Sequence, residues 1–223
     1  GSVYAIVLEI NSSYVGLFLS KYKVIKLKIF EEQVFEDTAY SVCAFSFVKC
    51  ENIKQFIKVS FYPKKEIKMF EIELSSGYRI GNDFYKKLEN NNKTIKASRL
   101  LKGQTPNTKM FLRAVDTGTQ EGRIKLEMNN KLYYGKNTDR VFASIVLSKK
   151  LSMFEQFEIV DRFNNILEHN REKYNSLFLT NFRNSTKEYA RKRISYDEAY
   201  SLIENIISAM TLDVYNSFNK QEK

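Results

Sequence analysis

The chain is expected to adopt an α+β fold, and three observations carry that expectation. Residues 22–30 set Val24, Ile25, Leu27 and Ile29 against Lys23, Lys26 and Lys28, the period of two of a strand with one lysine-covered face. Phe56–Phe61 and Met69–Leu74 alternate again on either side of Pro63-Lys64-Lys65, which is a hairpin signature. The last third changes to helical spacing behind two Ser-x-x-Glu capping boxes. The 223 residues are 43% hydrophobic and 14% aromatic, enough to bury one sizeable core, or a main core and a satellite. Seventeen Phe and fourteen Tyr exclude the aromatic-poor composition of a disordered chain.

Taken in order, residues 3–20 are mostly apolar and broken by Asn11-Ser12-Ser13; they fit either a helix ending near Ser20-Lys21 or pieces of strand. Residues 40–49 form the second strand, with Val42, Ala44 and Val48 on one side and Cys43, Phe45 and Phe47 on the other. Apolar side chains on both faces predict a central position in a sheet. Asn90-Asn91-Asn92-Lys93 is a polar loop, and Leu100–Gly122, rich in Gly, Thr, Asn and Gln, lacks a hydrophobic period. Ile124–Met128 and Leu132-Tyr133-Tyr134 flank Asn129-Asn130, a second hairpin signal, and Val141–Leu147 is a further strand. Ser152 and Glu155 cap a helix whose expected apolar stripe is Phe154, Phe157, Val160, Phe163 and Leu167. Ser195 and Glu198 cap another, with Ala199, Leu202, Ile203, Ile206, Ile207 and Met210 on one face. Ser217–Lys223 should fray.

The formal charge of +10 is concentrated. Residues 93–140 hold eleven Lys/Arg against four Asp/Glu, and residues 171–193 hold seven against two. Such blocks are the electrostatic footprint of a polyanion partner. Lysine alone fits a merely soluble protein of an AT-rich genome; arginine, the bidentate reader of phosphate and guanine, fits it less well. Two cysteines, Cys43 and Cys50, make no disulfide framework, and Cys43 in an apolar strand reads as a small core residue. With His169 as the one histidine, no Cys/His zinc site is expected. No apolar run of about 18 residues occurs, so no membrane span is expected. The start, with Gly1-Ser2 reading as a cloning scar, lacks a charged region followed by a cleavage site, and a cytoplasmic location is expected.

Three stretches hold chemistry. The first is Phe35-Glu36-Asp37-Thr38-Ala39-Tyr40-Ser41-Val42-Cys43-Ala44-Phe45-Ser46-Phe47. Blandly, Asp37-Thr38 is turn chemistry at a strand entry. With the strand at 22–30 before it, however, the pattern resembles the region after the catalytic motif in adenine-specific DNA methyltransferases of restriction-modification systems. The resemblance implies a wall of the target pocket and gives Phe35, by position, the role of stacking on the flipped adenine. An extruded base loses its stacking and recovers part of it on such a platform. The family's glycine-containing loop for S-adenosylmethionine and its Asn-Pro-Pro-Tyr motif find no counterpart: Pro63 and Pro106 are far apart and the glycines form no cradle. The chain is therefore expected to hold no catalytic residues and to bind no cofactor itself, S-adenosylmethionine belonging to the full-length enzyme.

The second stretch runs from Leu101 to Arg123. Lys102, Gln104, Asn107, Lys109, Arg113, Thr117, Thr119 and Arg123 are side-chain types that contact phosphates and base edges, and Gly103 and Gly118 permit close backbone approach. Lys136 and Arg140 close the same basic block. This stretch resembles the specificity domain that follows the family's catalytic domain. The third comprises Asn170–Arg183 and Tyr189–Ser195, similar to the family's C-terminal portion; Arg183, Arg191, Lys192 and Arg193 are its candidate phosphate contacts, the triplet lying just before a capped helix.

The resemblance implies three segments: 1–50, closing strands of a methyltransferase-like sheet; 51–147, a mostly β target-recognition domain; and 148–223, a helical C-terminal part. The expected function is sequence-specific double-stranded DNA recognition, with a catalytic methyltransferase domain as partner in cis or in trans. The alternatives are a specificity subunit of a split methyltransferase, or a basic RNA- or protein-binding domain with no methylation role.

Overall fold

A computed structural model describes residues 4–7, 18–37, 42–50, 54–73, 79–89, 93–136, 138–183 and 190–221. Their elements are, in order, β1 (Tyr4–Val7), β2 (Tyr22–Phe30), β3 (Val42–Lys49), β4 (Lys54–Tyr62), β5 (Ile67–Glu73), α1 (Asn82–Leu88), β6 (Ala97–Arg99) and β7 (Met110–Arg113). There follow β8 (Lys125–Met128), β9 (Phe142–Leu147), α2 (Met153–Tyr174), β10 (Thr180–Arg183), β11 (Arg191–Arg193) and α3 (Tyr196–Gln221). Residues 18–21 are also helical, so the apolar start contains both a strand and a helical turn. The mixed α+β class agrees with the expectation. The chain divides into two compact units, Gly1–Asp83 with Asp116–Gly122 and Lys173–Arg193, and Phe84–Val115 with Arg123–Glu172 and Ile194–Lys223.

The first unit is organised by a five-stranded sheet of order β1-β3-β2-β4-β5, in which β2 and β4 run parallel and the other neighbours are antiparallel. Strands before and after position 50 thus share one sheet, so the expected 50/51 segment boundary does not separate two sets of contacts. β3 is an inner strand between β1 and β2, as its apolar faces predict. The core side carries Val24, Cys43, Phe45, Ile57, Val59, Phe61, Phe70 and Ile72, over which Leu19, Ile80, Tyr174 and Leu177 pack. Burial pushes the Cys43 thiol up to about 11, which makes it an inert core group.

Two details depart from simple alternation. A bulge between Val24 and Lys26 adds one residue to β2, and Ile25 turns outward, 43% exposed. Gln55 is buried in the core, where its amide donates to the carbonyls of Leu19 (2.7 Å) and Tyr22 (2.9 Å) and accepts from Val24 N (3.2 Å). A buried amide with its groups paired costs little and fixes the start of β2.

The second unit has a four-stranded antiparallel sheet, β6-β9-β7-β8. Leu112, Leu126, Ala143, Ile159, Phe163, Leu167, Ala199 and Ile203 are fully buried in it. The aperiodic stretch 100–122 contains β7, whose four residues Met-Phe-Leu-Arg are too short for alternation to stand out. β8 pairs with β7, with Met110 opposite Met128, rather than with residues 132–134. Asn129 accepts from Lys131 N at 2.8 Å, a local turn that ends the strand.

Both capping boxes form. Ser152 Oγ accepts from Glu155 N (3.2 Å) while Glu155 accepts from Ser152 N (2.7 Å), and Ser195 with Glu198 repeats the arrangement at 3.2 and 3.0 Å. α3 buries the predicted face from Ala199 to Ile207, and its backbone remains helical through Gln221, past the expected fraying point. α2 is rotated from expectation. Its buried row is Gln156, Ile159, Phe163, Leu167 and Asn170, whereas Phe154 and Phe157 are 77% and 55% exposed. Gln156 decides the rotation: it accepts from Lys109 N (2.8 Å) and donates to Leu151 O (3.1 Å), so a polar residue takes an inward position that an apolar count gives to phenylalanine.

Candidate nucleic-acid interface

In the first unit, two stretches chosen separately from the sequence meet. Asp116 N donates to Lys192 O (2.9 Å), Lys192 N donates to the Asp116 carboxylate (3.2 Å), and Arg191 Nε donates to Asp116 O (2.8 Å) across 75 positions of sequence. Asp116 therefore fastens the start of the 116–122 loop to β11. Thr117 N donates to Gly122 O at 2.9 Å and closes the loop. A Cβ on Gly122 would lie 1.6 Å from Thr117 Oγ1, so that close crossing requires glycine. Gly118, at φ +95°, makes the left-handed bend at the tip. Thr117 is exposed, and its hydroxyl lies 3.4 Å from that of the half-buried Thr119.

β10 and β11 form an antiparallel ribbon with Thr180 opposite Arg193 and Arg183 opposite Arg191. The guanidinium of Arg191 lies over the Phe182 ring, 4.9 Å from its centroid, which holds the arginine in a fixed pose. Lys192 is different from its neighbours: it is 6% exposed, and its ammonium donates to Asn181 Oδ1. It supports the ribbon and does not present its charge to solvent. Asp116 and Asn181 are organising residues that spacing did not reveal, because an inward Asp-Lys-Asn arrangement exists only once the ribbon has folded.

Phe35 also belongs to this unit. Its ring is 47% exposed, and Gln33 holds the backbone there by donating to the carbonyls of Phe35 (2.9 Å) and Glu36 (3.1 Å). Thr38–Ser41 of the motif, and Tyr189 of the third stretch, lie outside the described residues.

The remaining candidates are in the second unit. Leu101 bridges to Gly135, and Gly135 N donates to Leu100 O at 3.1 Å, which joins the turn bearing Lys102 to the loop bearing Lys136 and Arg140. Asp139 shapes that loop by accepting from Lys136 N (2.6 Å) and from the Tyr133 hydroxyl (3.0 Å). Those bonds hold its carboxyl below the usual range and raise the Tyr133 phenol. Arg99 braces the loop by donating to the carbonyls of Lys136 (2.8 Å) and Asp139 (3.2 Å). Lys102, Lys136 and Arg140 are left exposed on these loops, and Lys109 is exposed beside β7.

Other candidates are engaged by the protein itself. Asn107 donates to Leu147 O (2.6 Å) and accepts from Leu147 N (3.1 Å), a two-way bond that clamps the end of β9. Gln104 accepts from Leu101 N at 2.8 Å and locks its own turn. Arg123 donates to Glu168 at 2.6 Å. Arg113 lies with its guanidinium 6.0 Å from the Phe142 ring centroid and its Nε buried. Residue type alone does not distinguish these from exposed contacts.

Two further glycines sit where the backbone itself needs them. A Cβ at Gly81 would come 2.5 Å from Phe178 Cβ, and Gly103 sits in a turn at φ +90°. Among the described residues no cluster of metal-ligating side chains occurs and no helix is long and apolar enough to cross a membrane. Comparison with protein-family models, curated proteins and solved structures yields no match.

Proposed function

We propose that this chain supplies sequence-specific recognition of double-stranded DNA as the C-terminal part of an adenine-specific DNA methyltransferase, whose full-length form transfers a methyl group from S-adenosylmethionine to the adenine amine. The observation that carries the reading is the fastening of the Thr117–Gly122 loop to the Arg191–Arg193 strand through Asp116. A rigid polar loop and a basic ribbon in one place supply the two kinds of contact a duplex reader needs: hydroxyls and amides for base edges, cations for phosphates. The methyltransferase part of the reading rests on the Phe35–Phe47 resemblance and on the exposed Phe35 ring. Methyl transfer itself is left to the catalytic domain.

The test is selection of duplexes from a randomised pool, followed by a salt titration of the winner. The expected result is an enriched motif containing adenine and an affinity that falls steeply as salt rises. A pool that emerges unenriched, or double-stranded RNA bound as tightly as duplex DNA, overturns the reading.

A further inference from the structure

The side of the five-stranded sheet opposite its core carries side chains unlike those of an ordinary solvated face. The residues of β2, β4 and β5 whose neighbours point inward place Lys26, Lys28, Phe30, Phe56, Lys58, Tyr62, Ile67 and Met69 on that side, with Lys54, Glu71 and Glu73 at the end where β4 begins. Phe56 and Met69 are each 59% exposed, Ile67 56% and Tyr62 39%. A parallel strand pair is ordinarily covered on both faces, so the open side of β2 and β4 is itself unusual. Large exposed apolar groups clustered on one face, interleaved with polar ones, mark a binding surface.

The lysines indicate what binds. Phe30 and Tyr62 are opposite one another in register, with ring centroids 5.8 Å apart. Lys28 Nζ lies 5.6 Å from the first centroid and 5.1 Å from the second. Along β4, Phe56, Lys58, Ser60 and Tyr62 share the face at roughly 6.6 Å intervals, a track of roughly 20 Å with an aromatic ring at each end. Lys26, Lys28 and Lys58 are exposed and enter no ion pair among the described residues, whereas Lys54 is paired with Glu71 at 2.6 Å toward the β5 edge. An apolar protein surface seated here would bury those three ammoniums unpaired, at a large desolvation cost. A single strand of nucleic acid meets both features, since its bases stack on the rings and its phosphates pair with the lysines.

We propose that this open sheet face binds single-stranded nucleic acid, independently of the duplex-reading loop and ribbon. Aromatic rings on a sheet surface flanked by cations are a general physical solution for stacking unpaired bases without reading their sequence.

The experiment measures fluorescence anisotropy of labelled oligodeoxythymidine and oligouridine with the full chain. Replacing Phe56 and Tyr62 together by Ala should weaken single-strand affinity by at least about tenfold. Replacing Lys26, Lys28 and Lys58 by Gln should lower the slope of log affinity against log salt by about two. Duplex affinity and thermal midpoint should stay near those of the parent chain in both variants. Iodouracil photo-crosslinking provides a second readout and should map to the β4 peptide. Stronger binding of either oligomer supports the proposal and names the preferred polymer. Absence of single-strand binding overturns it, as does binding that both variants leave unchanged. A dimer that dissociates on the Phe56/Tyr62 substitution while strand binding persists would assign the face to a second copy and likewise overturn it.

Discussion

The two units solve the same packing problem differently. The first uses long strands, two of nine residues, and covers one side of its sheet. β4 and β5 alternate cleanly because each has a wet and a dry side. The second uses strands of three to six residues and draws its core from two long helices as well. There, side-chain amides and carboxylates from Asn107, Asp139, Gln156 and Glu204 hold the backbone where short strands cannot. Long strands therefore announce themselves by pattern, while short ones depend on polar bonds from distant positions that pattern does not expose.

The comparison can be broken by core truncation. Leu126→Ala in the second unit and Val59→Ala in the first both remove fully buried groups. The leucine variant should lose about 2–5 kcal/mol in denaturant unfolding and the valine variant less, because fewer atoms leave the core. If the units unfold separately, each variant will shift one transition and leave the other in place; a single shared transition would show that their difference in construction does not extend to cooperativity.

A second test concerns the interface. Arg191 and Arg193 replaced together by Ala should weaken duplex binding and lower its salt slope by about two if both meet phosphates. Asp116→Ala should weaken binding as well, through loss of loop position, with the salt slope retained. Equal slopes in all three proteins would remove the arginines from the phosphate list.

A third sharpens the role of polar bonds in the second unit. The Asp139 carboxyl is held low, so its ordering of the 133–140 loop is complete at neutral pH. That contribution is lost as pH falls through the lowered value, beneath the ordinary carboxylate range. The Lys136 amide resonance should move to a loop-like position only at that acidity, and Asp139→Asn should place it there at neutral pH. The smallest effect belongs to the helix cap: Ser152→Ala should cost about 1 kcal/mol by removing the acceptor for Glu155 N.

Much of this chain was legible before folding. The strand at 22–30, the 54–73 hairpin and both capping boxes follow from alternation and local hydrogen bonding, which act over a few residues and so are written in order along the chain. The stripe on α3 is equally plain, since its inward positions are all apolar. α2 is the instructive exception: its face is chosen by Gln156, whose partner Lys109 N is 47 positions away.

The candidate site divides in the same way. Charge and residue type, properties that survive without a fold, selected the basic stretches. Which cations remain in solvent was decided only by tertiary contacts: Lys192 turns in to Asn181 and Arg123 to Glu168, while Lys102, Lys136 and Arg140 stay out. Likewise, the lysines and aromatics of β2, β4 and β5 are visible as alternation, but their union on one open face needed strand order and register. Local preference acts on neighbours along the chain; a surface is made by residues the chain brings together from far apart.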